Sequence, residues 1–364
     1  MTERRQIPYK NVLVARFSAL GDVAMAIPVV YSVCRAYPQT RFILITQNVA
    51  SSLFMNAPAN LIVRGVDIRG KYKGFSGLKK LCHDLRKEFH IDAFADLHDV
   101  IRTQILRIFF RLAGIHVQRI RKGRLSKWLL THRHGKRLRQ LPTSHQRYHD
   151  VFRRLGFDFG EQFTGLFVNK LPLPSTFSEI TAPKQLGETW IAVAPFAKHP
   201  GKIYPPELMR QVVEVLSKRQ NTRIFLFGGG DSERRILRQW AEEIPNALSM
   251  AEKRHGFPVE LPLLSYMDVM LSMDSANMHL ASLAGLPAVS IWGATHPFCG
   301  FLGWGQKLEN CVQRDDLPCR PCSVYGKRPC RYGDYRCLRG ISPATIVAHI
   351  NKVLEEKDKT EKNE

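Results

Sequence analysis

Long apolar runs are missing from this chain: no stretch approaches the roughly 18 apolar residues that a bilayer-spanning helix needs. Acids are scarce as well. Asp and Glu total 32 against 54 Lys and Arg, a formal net charge of +22, and across residues 102–154 Asp150 is the only acid. A surface this basic expects an anionic partner, whether nucleic acid, phosphorylated lipid or a membrane leaflet. None of the standard nucleic-acid-binding signatures is present, so nucleic acid is not the expected partner. Cysteine is sparse until late, with six of the eight lying after residue 298. The basic N-terminus runs into NVLVA without an apolar segment and cleavage site, so no signal peptide is read and the cytoplasm is the expected compartment. In that reducing setting, clustered cysteines suggest thiols or a metal site sooner than a disulfide frame.

What is present is organised. A hydrophobic fraction of 44% is ordinary for a globular protein, and 364 residues favour two domains. NVLVA (11–15) and RFILIT (41–46) read as buried strands, with a helix expected over 23–37 between them and another strand end at 93–97. This strand–helix rhythm predicts a parallel α/β sheet. It breaks in the basic stretch 102–154, and the proline-bearing segment 169–187 reads as an interdomain linker. The rhythm then resumes with WIAVAPF, RIFLFGGG and PAVSIWG as strands, and PPELMRQVVEVLSKR and DSERRILRQWAEEI as helices. The expected division is an acceptor-binding domain over 1–168, the linker, a nucleotide-sugar-binding domain over 188–350, and a frayed, charged tail over 351–364. The fold class is α/β, with two Rossmann-like domains.

Four motifs stand at strand ends, where open α/β sheets bind ligands. In RFSALGDV, Gly21 permits a tight turn and Asp22 precedes a helix, either as a helix-start charge or as a general base. KHPGKIYP puts Lys202 in a Gly- and Pro-bearing loop, suited to phosphate or simply solvated. FGGGDS lets backbone at Gly228 and Gly229 approach a ligand, although glycine turns are common at strand ends. MDSANMHLASLAGL sets Asp274, Ser275 and His279 at a small-residue helix, either as capping residues or as part of a diphosphate site, with Thr295 following in WGATHP.

In order, S-A-L-G-D, K-x-Y-P, G-G-G-D, D-S-x-x-x-H and G-x-T-x-P resemble glycosyltransferase family 9, the heptosyltransferases, over about residues 11–350. The resemblance implies a GT-B fold with two domains facing a central cleft, and inverting transfer of heptose from ADP-heptose to Kdo-lipid A of the lipopolysaccharide inner core. No metal is implied for transfer. Asp22 falls on the catalytic base, with Ser18 and Gly21 on the same acceptor-side turn. Lys202 falls on the phosphate-contacting lysine, and Asp274, Ser275, Ala276 and His279 on the donor motif, where Ala276 replaces a glycine. DLHDVIRTQ resembles the acceptor-side segment, with His98, Asp99 and Arg102 in it. The basic run, with Phe109, Phe110, Trp128 and Tyr148 interspersed, is expected to meet lipid phosphates at the inner face of the inner membrane. Cys319, Cys322, Cys330 and Cys337, spaced C-x2-C-x7-C-x6-C, are candidate ligands of a structural zinc or a reduced packed loop. Two other readings stand beside this one: a relative using another nucleotide sugar or acceptor in outer-core or capsule synthesis, and a non-catalytic anionic-ligand-binding protein.

Overall fold

The computed structural model describes residues 8–361. The chain divides into two compact units, Met1–Lys122 with Ser144–Leu166 and Gly123–Thr143 with Phe167–Glu364.

The first unit holds strands β1 (Asn11–Ala15), β2 (Arg41–Thr46), β3 (Leu61–Gly65), β4 (Ala93–Asp96) and β5 (His116–Arg119) in one parallel sheet, ordered β3-β2-β1-β4-β5. β1 is central, pairing Val12 with Phe42 on one side and with Ala93 on the other. An uninterrupted apolar run suits it because helices cover both faces of a parallel sheet. Val12 to Ala15 are fully buried. The helix expected over 23–37 forms as two, Leu20–Ala24 and Ile27–Ala36. Pro28 explains the break: without an N–H it fits the first turn of a new helix but cannot continue an old one.

The second unit contains β6 (Thr189–Ala194), β7 (Thr222–Leu226), β8 (Ala247–Ser249), β9 (Val269–Met273), β10 (Ala288–Trp292) and β11 (Cys311–Gln313), all parallel, ordered β11-β10-β9-β6-β7-β8. Its core joins Ile191, Leu226, Leu271 and Ile291 on the strands to Val212, Leu237 and Ile350 on the helices. Short β3, β5, β8, β9 and β11 escape the sequence reading, since their apolar runs are brief or merge with the motifs beside them.

Three expected boundaries change. Residues 123–143 belong to the second unit, not to a first domain ending at 168. Leu130 and Leu141 cluster with Cys299, the Leu141 N–H donates to the Phe298 carbonyl at 3.0 Å, and the Lys127 ammonium sits 4.0 Å from the Phe301 ring centroid. The segment 169–187 is no free linker: Phe177 is buried edge-on against Trp190 and Tyr266, and Lys184 Nζ lies 2.6 Å from Asp268 Oδ2. The charged tail is helical as far as described, within Pro343–Glu361. Val353 and Leu354 bury in the core and Lys357 pairs with Asp268, which fixes that helix; residues 362–364 of the expected tail lie outside the described part.

Candidate active site

In a doubly wound sheet, ligands sit beyond the carboxyl ends of the strands at the point where the winding reverses. In the first unit that point lies between β1 and β4, so the segments that matter are 16–22 and 97–99. Arg16, at the end of buried β1, is itself buried. Its Nη1 donates to the Leu97 carbonyl at 2.7 Å, and its Nη2 lies 2.5 Å from Asp22 Oδ2. The Ala19 N–H also donates to Oδ2, at 3.3 Å. Among the described residues Asp22 Oδ1 has no protein partner, and the side chain is 31% exposed. One oxygen is therefore held while the other is available. Burial works against the charge on Arg16, but Tyr148 and Asp22 outweigh it and its pKa is raised.

His98 is buried beside Phe17, whose N–H donates to His98 Nδ1 at 3.4 Å. With Nδ1 accepting, the ring proton belongs on Nε2. Burial first, and then the fields of Arg16 and Lys122, push its pKa down to about 3, so it is neutral at neutral pH. Next to it Asp99 is clamped by Arg107 at 3.0 Å and Arg119 at 3.2 Å, and its carbonyl accepts from Lys122 Nζ at 2.8 Å. Arg102 is exposed near the start of the following helix, Ile101–Leu112, close enough to add to the field on His98.

In the second unit the winding reverses between β6 and β9. Lys202 ends the turn Pro200–Lys202 after β6, and Asp274 follows β9. Lys202 Nζ is 2.7 Å from Asp274 Oδ2, and Thr295 Oγ1 donates to the same oxygen at 2.8 Å. Asp274 is 4% exposed, so the pair sits where little water screens it. Glycines allow the loops to meet. A Cβ on Gly293 would lie 2.7 Å from the Gly201 carbonyl oxygen, and a Cβ on Gly201 would lie 2.9 Å from Ala294 Cβ. The Ala294 N–H donates to the Gly201 carbonyl at 2.8 Å. Buried Arg320 pins this loop, donating to the carbonyls of Gly293 at 2.6 Å and Thr295 at 3.1 Å. Ser275 caps the helix Ala276–Ala284, accepting from the Asn277 N–H, and His279 is buried within that helix.

The model of glycosyltransferase family 9 (heptosyltransferase) matches residues 80–332. The chain belongs to glycosyltransferase family 9. It is 21% identical over 357 residues to lipooligosaccharide heptosyltransferase 2 of Campylobacter jejuni, covering 92% of this chain and 96% of that protein. Among solved structures it superimposes on the Veillonella parvula family 9 glycosyltransferase with a TM-score of 0.75 at 17% identity, covering 97% of this chain and all of the other. The Escherichia coli ADP-heptose lipopolysaccharide heptosyltransferase II gives a TM-score of 0.66 at 18% identity, with 96% and 99% covered. These likenesses carry the GT-B-type arrangement of two parallel α/β sheets, and the chain is a glycosyltransferase.

Of the residues singled out in this family 9 enzyme, Ser18, Gly21 and Asp22 share one turn, while Lys202, Asp274 and Thr295 form one hydrogen-bonded group. Ser275, Ala276 and His279 continue from it along one helix. Gly228 and Gly229 stand apart at the end of β7. The Gly229 N–H donates to Glu233 Oε2 at 2.7 Å, and a Cβ on Gly228 would strike Leu237 at 2.6 Å. That turn packs a helix against its strand. Arg16, Gly201, Gly293, Glu233 and Arg320 were not anticipated. A charged residue closing a fully apolar strand was the available signal for Arg16; Arg320, in the cysteine-rich segment, offered none.

The four late cysteines are the candidates for a structural zinc or a reduced packed loop. Cys319, Cys322, Cys330 and Cys337 are free thiols lining one cavity, yet among the described residues no group of three or more His, Cys, Asp or Glu side chains is arranged to hold a metal.

Proposed function

We propose that this glycosyltransferase moves heptose from ADP-heptose to the Kdo-lipid A inner core of lipopolysaccharide, with inversion at the anomeric carbon and without a metal. The reading rests above all on Asp22, a carboxylate with one oxygen fixed by Arg16 and Ala19 and the other open, at the reversal point of a sheet. Asp22 takes the proton of the acceptor hydroxyl as that oxygen attacks the anomeric carbon. The bond to the diphosphate breaks on the opposite face, and charge grows on the leaving group. Lys202, with N–H donors beyond the one pointed at Asp274, and the first amides of the helix Ala276–Ala284 stabilise that charge. Ser275, Ala276, His279 and Thr295 complete the donor side, with Gly228 and Gly229 on a neighbouring turn. Ser18, Gly21, His98 and Arg102 belong to the acceptor side, where neutral His98 donates from Nε2. The lipooligosaccharide and ADP-heptose named for the relatives support this choice of substrates.

Among the described residues no helix is long and apolar enough to cross a membrane. In this reading the enzyme meets its lipid acceptor peripherally, at the inner face of the inner membrane, and the net charge of +22 supports such a contact. Calorimetry with ADP-heptose against UDP-, GDP- and CMP-sugars tests the donor. Selective binding of the ADP-sugar is expected. Preference for another nucleotide overturns the donor assignment, and binding of none favours a non-catalytic anion-binding role.

A further inference from the structure

Two helices of the first unit, Gly74–Phe89 and Ile101–Leu112, pack side by side and bury their inner sides in one core with Leu13, Ile43 and Phe94 of the sheet. The outer side of the second helix is not what a helix facing water carries. Ile101, Ile105, Ile108 and Leu112 recur at the i, i+4, i+7, i+11 spacing of one helical face, opposite the buried Thr103, Leu106, Arg107 and Phe110. Ile101, Ile108 and Leu112 are 75%, 55% and 82% exposed. Beside this stripe lies the half-buried Phe109 ring, 5.3 Å from that of Phe75, which is 64% exposed on the first helix. One exposed apolar side chain needs no explanation, but a stripe of them joined by ring contact to the neighbouring helix is what an interaction surface bears. Around it the charge is of one sign. Lys79, Lys80, Arg86 and Lys87 on the first helix and Arg102 and Arg111 on the second are exposed, and among the described residues none of them has an ion-pair partner. The acids of these helices are engaged: Asp84 accepts from the Tyr72 hydroxyl at 3.1 Å, and Glu88 pairs with Arg64 at 2.7 Å.

We propose that this two-helix face seats the enzyme on an anionic lipid leaflet, the isoleucine stripe with Phe75 and Phe109 entering the boundary between headgroups and acyl chains and the surrounding lysines and arginines meeting lipid phosphates. The proposal rests on the reading of a lipid-linked acceptor and names the surface that reading needs. A leaflet offers apolar chains beneath an anionic headgroup layer, which is the complement of an apolar stripe flanked by cations. A second copy of the same face would instead set cations against cations. The stripe also starts where the acceptor side ends: Ile101 follows the 97–99 segment, whose Leu97 carbonyl accepts from Arg16. Of the aromatics in the basic run 102–154 singled out in the sequence, Phe110 and Tyr148 are buried and Trp128 belongs to the second unit, which leaves Phe109 to this surface.

Flotation of the full chain tests this, with vesicles of phosphatidylethanolamine and phosphatidylglycerol against vesicles of phosphatidylcholine alone. The protein is expected to float with the anionic vesicles. Ile108→Gln with Leu112→Gln, and separately Lys79→Gln with Lys80→Gln and Lys87→Gln, should each weaken that partitioning by about tenfold or more. Melting temperatures should hold, because all five side chains are exposed. Ile108→Trp should add tryptophan emission that moves to shorter wavelength on the anionic vesicles and is quenched by brominated acyl chains. Absence of flotation, flotation of either glutamine variant like the unaltered protein, or no added quenching in Ile108→Trp overturns the proposal. So does a dimer in light scattering that the Ile108 and Leu112 changes dissolve, since a second copy then covers the face. These vesicles carry no saccharide, and calorimetry with ADP reads the donor site by itself. Failure of the heptosyl-transfer reading and failure of this surface are therefore distinguishable.

Discussion

The proposed mechanism gives Asp22 the proton and Lys202 the leaving group, and each role can be tested alone. Asp22→Asn keeps the acceptor for Arg16 and Ala19 but removes the basic carboxylate. A positioned base contributes about 10²–10⁴ in rate, or ~3–5 kcal/mol of barrier. Turnover should fall by that factor in a glycan-transfer assay while donor affinity holds, and melting temperature should drop as well because buried Arg16 loses its counter-charge; unchanged turnover would remove Asp22 from the mechanism. Lys202→Met leaves buried Asp274 with Thr295 alone, so donor binding should weaken at least tenfold and stability should drop by about 3 kcal/mol, the scale of an uncompensated buried charge. Two histidines predict a pH response. His98 titrates near 3 and His296 near 4, both pushed below the usual 6.5 chiefly by burial. The unfolded chain binds protons that these rings refuse when folded, so their contribution to stability is complete above about pH 6.5 and declines as pH falls toward 4 and then 3. Melting temperatures between pH 7.5 and 4.5 should fall accordingly, and His98→Gln, whose amide oxygen can still accept from Phe17, should flatten the slope.

Among the elements, the second unit's site depends on loops that touch through backbone. The turn after β6 and the turn after β10 meet because neither Gly201 nor Gly293 carries a Cβ. In Gly293→Ala the new methyl meets Leu338 Cγ at 2.6 Å and the Gly201 oxygen at 2.7 Å. Overpacking of this kind costs about 1–3 kcal/mol. Thr295 should move away from Asp274, so denaturant unfolding should report the lost stability and calorimetry a weakened donor; a variant normal in both would show that the loops have slack. The helix Ala276–Ala284 depends on its cap in the same local way, and Ser275→Ala should cost about 1 kcal/mol. The sequence pattern located this helix and the loops on either side of it. That Lys202 reaches Asp274 was not readable, because 72 positions separate them and only the pairing of β6 with β9 brings their ends together.

For the whole molecule, the net charge of +22 is the property most open to measurement. Each basic residue near an anionic leaflet contributes about 1 kcal/mol, screened within roughly 8 Å at physiological ionic strength. Flotation with vesicles rich in anionic phospholipid should carry the protein at low salt and release it by about 0.5 M, where screening is strong. Absence of binding at low salt would remove the peripheral-membrane reading. The basic run 102–154 is not one surface element, since 123–143 packs into the second unit and the flanking parts into the first. Charge reversal confined to 123–143, at exposed positions such as Arg137 and Arg139, therefore asks which unit carries the attraction.

By itself the sequence determined the α/β class, the two sheets, the family and the strand-end motifs, because each depends on local periodicity or on short spacings within a turn. It also placed Asp22 and the residues around Asp274 at strand ends, which is where a parallel sheet leaves side chains uncovered. Only the tertiary structure decided how those residues are held: Arg16 against Asp22 and Leu97, Arg320 against the Thr295 loop, and Glu233 on the glycine turn. It also decided that 123–143 joins the second unit and that the four cysteines line one cavity. Such outcomes depend on which loops the strand order brings side by side and on whether side chains converge once packed. Neither is encoded in the spacing of residues along the chain.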